Sequence, residues 1–331
     1  MPDAGGAVFI AVDVGGTKTD VGLFAAAGAG GPLRHRRFRS AEFAGLEDVL
    51  QEFAAEETVA ALVVAAAGPV RDGEIRTTNL PWTISAQRLG NRLGGIPVRL
   101  LNDLEAAAAG VLTLGEESFQ TIVAGQSRVA HRALLAPGTG VGESILYWGG
   151  CEYRPYASEG GHVGFAPRDE EQIDLLRFLR RRLTEVSYEH VLSGPGLGNL
   201  FDFVSGPQGV RASLELPAGG DRAVAIGRAA VAGTCEASRR SVGLWLRILA
   251  ARTGDLALAA MATGGVDIAG GMIRELLPLV DGREFARVTT GSGAMASMLA
   301  EVRVRAVLEP HVGLLGAAAV MARELGKSRT V

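Results

Sequence analysis

Apolar positions follow two rhythms along this chain, and the switches between them mark its elements. Phe9-Ile10-Ala11-Val12 opens an apolar, β-branched run that ends in Asp13-Val14-Gly15-Gly16-Thr17 and returns through Val21-Gly22-Leu23-Phe24. That pattern predicts a β-hairpin around a glycine turn, followed by a third antiparallel strand over 32–39. Residues 45–57 carry Leu46, Val49, Leu50 and Phe53 at helical spacing. Residues 60–67 form a wholly apolar strand closed by Gly68-Pro69, as expected where helices cover both faces of a sheet. A helix over 85–93, with Ser85 as its N-cap, precedes a buried strand over 96–101. That strand delivers Asn102-Asp103 to its carboxyl end, directly before a helix over 104–114.

From Ser118 the pattern starts again. Strands are predicted over 121–124 and 132–136, then the turn Pro137-Gly138-Thr139-Gly140-Val141-Gly142, then a strand over 144–148. The order of apolar strand, Gly/Thr turn and returning strand repeats the N-terminal hairpin, which reads as a weak internal repeat with two related halves. Residues 149–169 read as loop. Helices are predicted over 170–183, 196–203 and 221–251, and a strand over 256–263 ending in Gly264-Gly265. A helix over 271–279, a last strand over 302–308 and a last helix over 312–325 complete the chain. The restart places domain limits at 1–116 plus 312–331 for a small α/β domain and 117–311 for a large one.

Composition narrows the class. The 331 residues are 47% hydrophobic and 21% charged with a net charge of −3, which supplies core material for two domains and speaks against a nucleic-acid surface. The Ala-rich stretch 251–262 is interrupted by Arg252 and Asp255, so no membrane span is expected. No signal peptide is read at the N-terminus, and the six or seven residues before the first strand leave no room for a DNA-binding module. Cys151 and Cys235 lack Cys-x-x-Cys spacing, which fits a reduced, cytoplasmic protein. The 46 glycines, roughly twice the average share, imply many turns passing close to something.

Chemistry concentrates at a few places. Gly15-Gly16 can take positive φ and bare their N–H groups, a seat for phosphate oxygens, with Asp13 beside it to hold the water shell of Mg²⁺. An ordinary hairpin with a polar turn is the alternative. A second such turn at Gly138-Thr139-Gly140 strengthens the phosphate reading, with Thr17, Lys18 and Thr139 as side-chain donors. Neither turn is a Walker loop or a dinucleotide fingerprint. Asp103 is a candidate general base for phosphoryl transfer to an alcohol, or else a helix N-cap. Glu159 and His162, around Gly160-Gly161, suit sugar hydroxyls but lack a third ligand for a metal. No metal site is expected, and His35, His131, His190 and His311 read as structural.

Taken together, Asp13-Val14-Gly15-Gly16-Thr17, Thr78-Asn79 with Trp82, Leu101-Asn102-Asp103, Pro137-Gly138-Thr139-Gly140-Val141-Gly142, Glu159-Gly160-Gly161-His162-Val163, Val191-Leu192-Ser193-Gly194-Pro195-Gly196-Leu197 and Gly313-Leu314-Leu315-Gly316 occur in the order of one family. The chain resembles the bacterial glucokinases, in the hexokinase-like branch of the actin/sugar-kinase superfamily. The resemblance implies a two-domain α/β, actin-like/ribonuclease H-like fold with mixed sheets, helices on both faces and an active-site cleft between domains. It implies an ATP- and Mg²⁺-dependent kinase, usually a homodimer, that phosphorylates the 6-hydroxyl of glucose. By motif, Asp103 is the base, and Asn79, Asn102, Glu159, His162 and Glu189 hold the sugar. Asp13, Gly15, Gly16, Thr17, Lys18, Gly138, Thr139 and Gly140 hold Mg-ATP, and Gly264-Gly265 border the adenosine.

Three departures stand out: Lys18-Thr19-Asp20 replaces the family's Asn-Ala-Arg, Gly164 its acidic residue after His-Val, and Ala136 its glycine before Pro137. They bear on which hexose is preferred. A kinase for another hexose, a weak sugar-binding paralogue, a sugar-sensing regulator and an actin-like ATPase are the rival readings. The regulator would need a DNA-binding module, and the ATPase no Asn-Asp at a sugar cleft.

Overall fold

The computed structural model describes residues 7–26, 31–54, 57–78, 80–206, 214 and 222–328. In chain order the elements are β1 (Val8–Val14), β2 (Lys18–Ala25), β3 (Arg34–Arg39), α1 (Leu46–Ala54), β4 (Leu62–Ala66), β5 (Val70–Arg71), β6 (Glu74–Arg76), β7 (Thr83–Ser85), α2 (Ala86–Arg92), β8 (Val98–Asn102) and α3 (Asp103–Val111). There follow β9 (Phe119–Val123), β10 (Arg132–Pro137), β11 (Val141–Trp148), β12 (Tyr153–Ser158), α4 (Glu170–Leu179), α5 (Glu189–Leu192), α6 (Gly194–Val204), α7 (Arg222–Val231), α8 (Glu236–Ala259), β13 (Val266–Ile268), α9 (Gly271–Leu276), α10 (Gly282–Thr290), α11 (Ala296–Ala300), β14 (Val304–Val307) and α12 (Val312–Ser328). The chain divides into one unit of Met1–Gly115 with His311–Val331 and a second of Glu116–Pro310.

In the first unit the strand order is β3-β2-β1-β4-β8. β1 pairs antiparallel with β2 and parallel with β4, and β4 pairs parallel with β8. Strand alternation sorts the apolar residues to two faces. Ile10, Val12 and Val14 pack with Leu46, Val49, Leu50 and Phe53 of α1, while Phe9 and Ala11 pack with Leu314, Ala317 and Met321 of α12. Both faces are thereby covered, which is why β4 reads as a continuous apolar run. α12 lies on α3 through glycines. A Cβ at Gly316 would fall 1.8 Å from the Ala106 carbonyl oxygen, and one at Gly110 2.0 Å from that of Val312.

The second unit's sheet runs β12-β11-β10-β13-β14-β9. Its first five strands repeat the pairing senses of the first unit's sheet: two antiparallel steps, then two parallel ones. Its core gathers around fully buried Trp245 of α8, whose Nε1 donates to the Leu192 carbonyl at 2.9 Å.

Several sequence expectations give way here. Residues 256–263 are not a strand: α8 continues to Ala259, and the glycine pair Gly264-Gly265 precedes β13 instead of ending a strand. The stretch Leu256-Ala257-Leu258-Ala259 alternates by accident, and its leucines and alanines are strong helix formers. The predicted helix over 221–251 is two helices, α7 and α8, broken near Gly233 at φ +69. The expected loop 149–169 contains β12, an edge strand with little apolar signal. Ser85 is the N-cap of α2 by position, but its side chain makes no capping hydrogen bond.

Candidate active site

The first unit assembles an acidic corner at the carboxyl ends of its parallel strands. β1 carries Asp13 next to the turn into β2, and β8 hands over to α3 at Asn102-Asp103. At the head of α3 the cap falls to the residue before Asp103. Asn102 is the N-cap, its Oδ1 accepting from the N–H groups of Leu104 at 2.9 Å and Glu105 at 3.4 Å. Its Nδ2 donates to the Gly68 carbonyl at 3.2 Å. Asp103 is therefore the first helical residue, half-buried, with Oδ1 accepting from Leu104 N–H at 3.0 Å.

Asp13 lies under the first turn of α12, where a Cβ on Gly313 would sit 2.3 Å from its Oδ2. Burial, then the negative charges of Asp103 and Asp20, push the Asp13 carboxyl up to about 7, with Arg37 opposing them. The turn itself is laced by Ser40. Ser40 Oγ donates to the Gly15 carbonyl at 2.9 Å and its N–H donates to that of Thr17 at 3.1 Å. Gly15 does not occupy the left-handed region; a Cβ there would sit 2.9 Å from the Lys18 carbonyl oxygen, so close approach demands the glycine. Thr17 and Lys18 are exposed at the tip.

In the second unit Gly138-Thr139-Gly140 joins β10 to β11. Gly138 N–H donates to the Gly140 carbonyl, and its own carbonyl accepts from Gly194 N–H at the head of α6, both at 2.8 Å. Glu189 braces this turn: Oε2 accepts from Val141 N–H at 3.0 Å, and a Cβ at Gly140 would meet it at 2.6 Å. Glu159 and His162 flank a short 3₁₀ turn after β12, both exposed, with His162 Nε2 3.8 Å from Glu159 Oε2. Gly160-Gly161 are obligatory there. Added Cβ atoms would come within 2.0 Å of Glu143 Oε2 and of the Val141 carbonyl oxygen, respectively.

Sequence reasoning missed what holds that loop. Arg252 of α8 donates from Nε and Nη2 to the two oxygens of Glu143, each at 2.7 Å, and from Nη2 to the Gly160 carbonyl at 3.3 Å. Burial disfavours the Arg252 charge, but the Glu143 carboxylate outweighs it and raises the pKa. Its guanidinium also stacks on Tyr188, 4.6 Å from the ring centre. Burial first, then Asp255, lift the Tyr188 hydroxyl to about 12; that hydroxyl donates to Asp255 Oδ2 at 3.1 Å. A charge interrupting an Ala-rich helix was the available signal, and it pointed to a partner as well as away from a membrane.

The glycine pair expected beside adenosine lies away from the second turn. Gly264 N–H donates to the His131 carbonyl at the entry to β10, whereas Gly138 lies past its exit. Because β10 and β13 are parallel, Gly264-Gly265 sit at the opposite end of the sheet from the second turn. The pair beside that turn is Gly270-Gly271. Gly270 has φ +112, and a Cβ on it would meet the Pro137 carbonyl oxygen at 2.5 Å. Asn79 lies outside the described residues. His131 and His190 are structural, their Nδ1 atoms accepting from Trp148 N–H and Ser187 N–H at 3.0 Å. His35 and His311, by contrast, converge on Asp20.

Among the described residues no helix is long and apolar enough to cross a membrane. The family model described as glucokinase matches residues 10–324. A glucokinase of Trichormus variabilis is 32% identical over 339 residues, covering 96% of this chain and 99% of the relative. The crystal structure of a glucokinase from an Antarctic psychrotroph superposes with a TM-score of 0.79 at 28% identity, over 96% of this chain and 99% of that one. A Balamuthia mandrillaris glucokinase solved in complex with glucose shares the fold at a TM-score of 0.83 and 20% identity, over 98% and 95%. With the two-unit α/β sugar-kinase fold, the acid at the head of α3 and an end-to-end family match, this chain belongs to the glucokinase family.

Proposed function

We propose that the chain transfers the γ-phosphoryl group of ATP to the 6-hydroxyl of glucose, giving glucose 6-phosphate and ADP, with Asp103 as the base. The observation that carries this reading is the division of labour at the head of α3. Asn102 takes the cap, which leaves the Asp103 carboxylate at the strand-to-helix junction beside Asp13 and the first turn. Phosphoryl transfer asks a protein for positioning, charge neutralisation and an acceptor for the hydroxyl proton. Asp103 accepts that proton as the hydroxyl oxygen attacks. Glu159 and His162, exposed and three residues apart, bind sugar hydroxyls, and the remaining amide hydrogen of Asn102 adds a donor. Glu189 acts at the sugar from its place behind Gly140. The N–H groups of Gly16 and Thr17, with Lys18, and those of Thr139 and Gly140 bind phosphate oxygens, while the N–H groups of Gly15 and Gly138 close the two turns onto the Lys18 and Gly140 carbonyls. Gly270-Gly271, not Gly264-Gly265, border the nucleoside.

The donor set at Asp13 fits a hard dication: a carboxylate flanked by Asp103 and Asp20, in a place where burial already penalises its charge. Magnesium bound through water there would neutralise the phosphate charge. A homodimer acting in the cytoplasm completes the reading.

The test is a coupled assay of ADP release with glucose, mannose, fructose and N-acetylglucosamine. Asp103→Ala should lower kcat by about 10²–10⁴ with unchanged far-UV circular dichroism. Wild-type turnover in that variant would refute the assignment of the base.

A further inference from the structure

We propose that Asp20, His35 and His311 form a binding site for a transition-metal dication such as Zn²⁺. Three distant stretches of the first unit bring these residues together. Asp20 lies on β2, His35 on β3, and His311 immediately before α12. One ligand atom from each lies within 4.8 Å of the others. His35 Nε2 is 2.7 Å and His311 Nδ1 3.6 Å from the same atom, Asp20 Oδ1. Donors around a tetrahedral Zn²⁺, each about 2.0–2.2 Å from the ion, stand roughly 3.4 Å apart, so the two spacings bracket what the ion needs. Two imidazoles and one carboxylate, with a fourth position left to water, are a donor set that this ion accepts.

The cluster is open to solvent. The Asp20 side chain is 11% exposed at its floor, and those of His35 and His311 are 28% and 30% exposed above it. The imidazoles are also pre-oriented, their rings meeting edge to face with centres 4.6 Å apart.

One group opposes a cation here. Arg37 holds Asp20 from Nε, at 2.9 and 3.1 Å, and from Nη2, at 2.9 Å, and its Nη2 lies 3.3 Å from His311 Nδ1. The second contact fixes the tautomer: an arginine only donates, so His311 Nδ1 presents its lone pair to the cluster. The guanidinium thus engages two of the three ligands that a metal ion would take. Its side chain is 39% exposed and can swing to solvent, so it competes with the ion without being a fixed wall. An ion held here would tie the segment entering α12 to β2 and β3, one strand away from Asp13, the cross-strand neighbour of Asp20.

The experiment uses the full chain after chelator treatment, in a Cys151→Ser background that removes the exposed thiol, titrated with zinc sulfate by calorimetry and by thermal shift. One tight equivalent and a rise in Tm are expected for this parent. His35→Gln and His311→Asn should each weaken that equivalent at least about tenfold, the scale seen when even outer-shell partners of a metal are lost. Arg37→Ala should tighten it. The proposal is overturned if the parent binds no tight equivalent, if both histidine variants keep it, or if Arg37→Ala weakens it.

Discussion

Removing Arg252 tests whether the loop carrying Glu159 and His162 is set from behind. Glu143 is 1% exposed, and both its oxygens are satisfied by the Arg252 guanidinium at 2.7 Å. Arg252→Met keeps most of the aliphatic stem but removes the guanidinium, leaving the carboxylate buried without its cation and Tyr188 without the group stacked on it. Breaking one side of a buried pair costs about 3–5 kcal/mol. At about 2–4 °C per kcal/mol for a unit of this size, Tm should fall by roughly 6–20 °C. Loss of the 3.3 Å bond to the Gly160 carbonyl also loosens the turn carrying Glu159 and His162, so KM for glucose should rise more than KM for ATP. The double variant Glu143→Leu/Arg252→Leu should recover much of the stability, because replacing both charges removes the stranded one, while glucose KM stays high. Unchanged Tm in Arg252→Met, or full recovery of glucose KM in the double variant, would refute the reasoning.

Asp13 predicts a pH dependence. Its folded-state value of about 7 lies above the ordinary 3.8, so folding takes up a proton and stability falls as pH rises from about 4 to about 7, then levels off. Three units correspond to about 4 kcal/mol, which we discount to roughly 2–4 because Asp13 keeps some contact with solvent. In chelator-containing buffer Asp13→Asn should therefore unfold at higher temperature than wild type at pH 8, with the gap closing by pH 4, while losing kinase activity; parallel Tm–pH curves would contradict this. Gly316→Ala puts a methyl where the Ala106 carbonyl oxygen is 1.8 Å away, so α3 and α12 must separate. A loss of about 1–3 kcal/mol is expected in denaturant titration, with lower kcat because Asp103 heads α3. Gly270→Ala meets both a positive φ and the Pro137 carbonyl oxygen at 2.5 Å, so KM for ATP should rise with little change for glucose; the reverse pattern would return the nucleoside to Gly264-Gly265.

The sequence by itself determined the elements whose local pattern and burial agree. The β1–β2 hairpin, the buried run of β4 and the Asn102-Asp103 junction all follow from period-2 or continuous apolar runs ended by turn residues, which is information carried within a dozen neighbours. The Gly/Thr turn at 138–140 was legible for the same reason. Periodicity failed at the last turn of α8. Leu256-Ala257-Leu258-Ala259 carries no polar residue, so its alternating Leu and Ala imitate a strand until Trp245, Leu249 and Leu256 are seen packed inside. Only the tertiary structure decided which residues meet. It gave the cap to Asn102 and made Asp103 the first helical residue, set Gly270 in place of Gly264 beside the second turn, and paired Arg252 with Glu143 across 109 positions. It also gathered Asp20, His35 and His311 around one oxygen. Such contacts depend on strand order and parallel register, which long-range burial selects and no local spacing encodes.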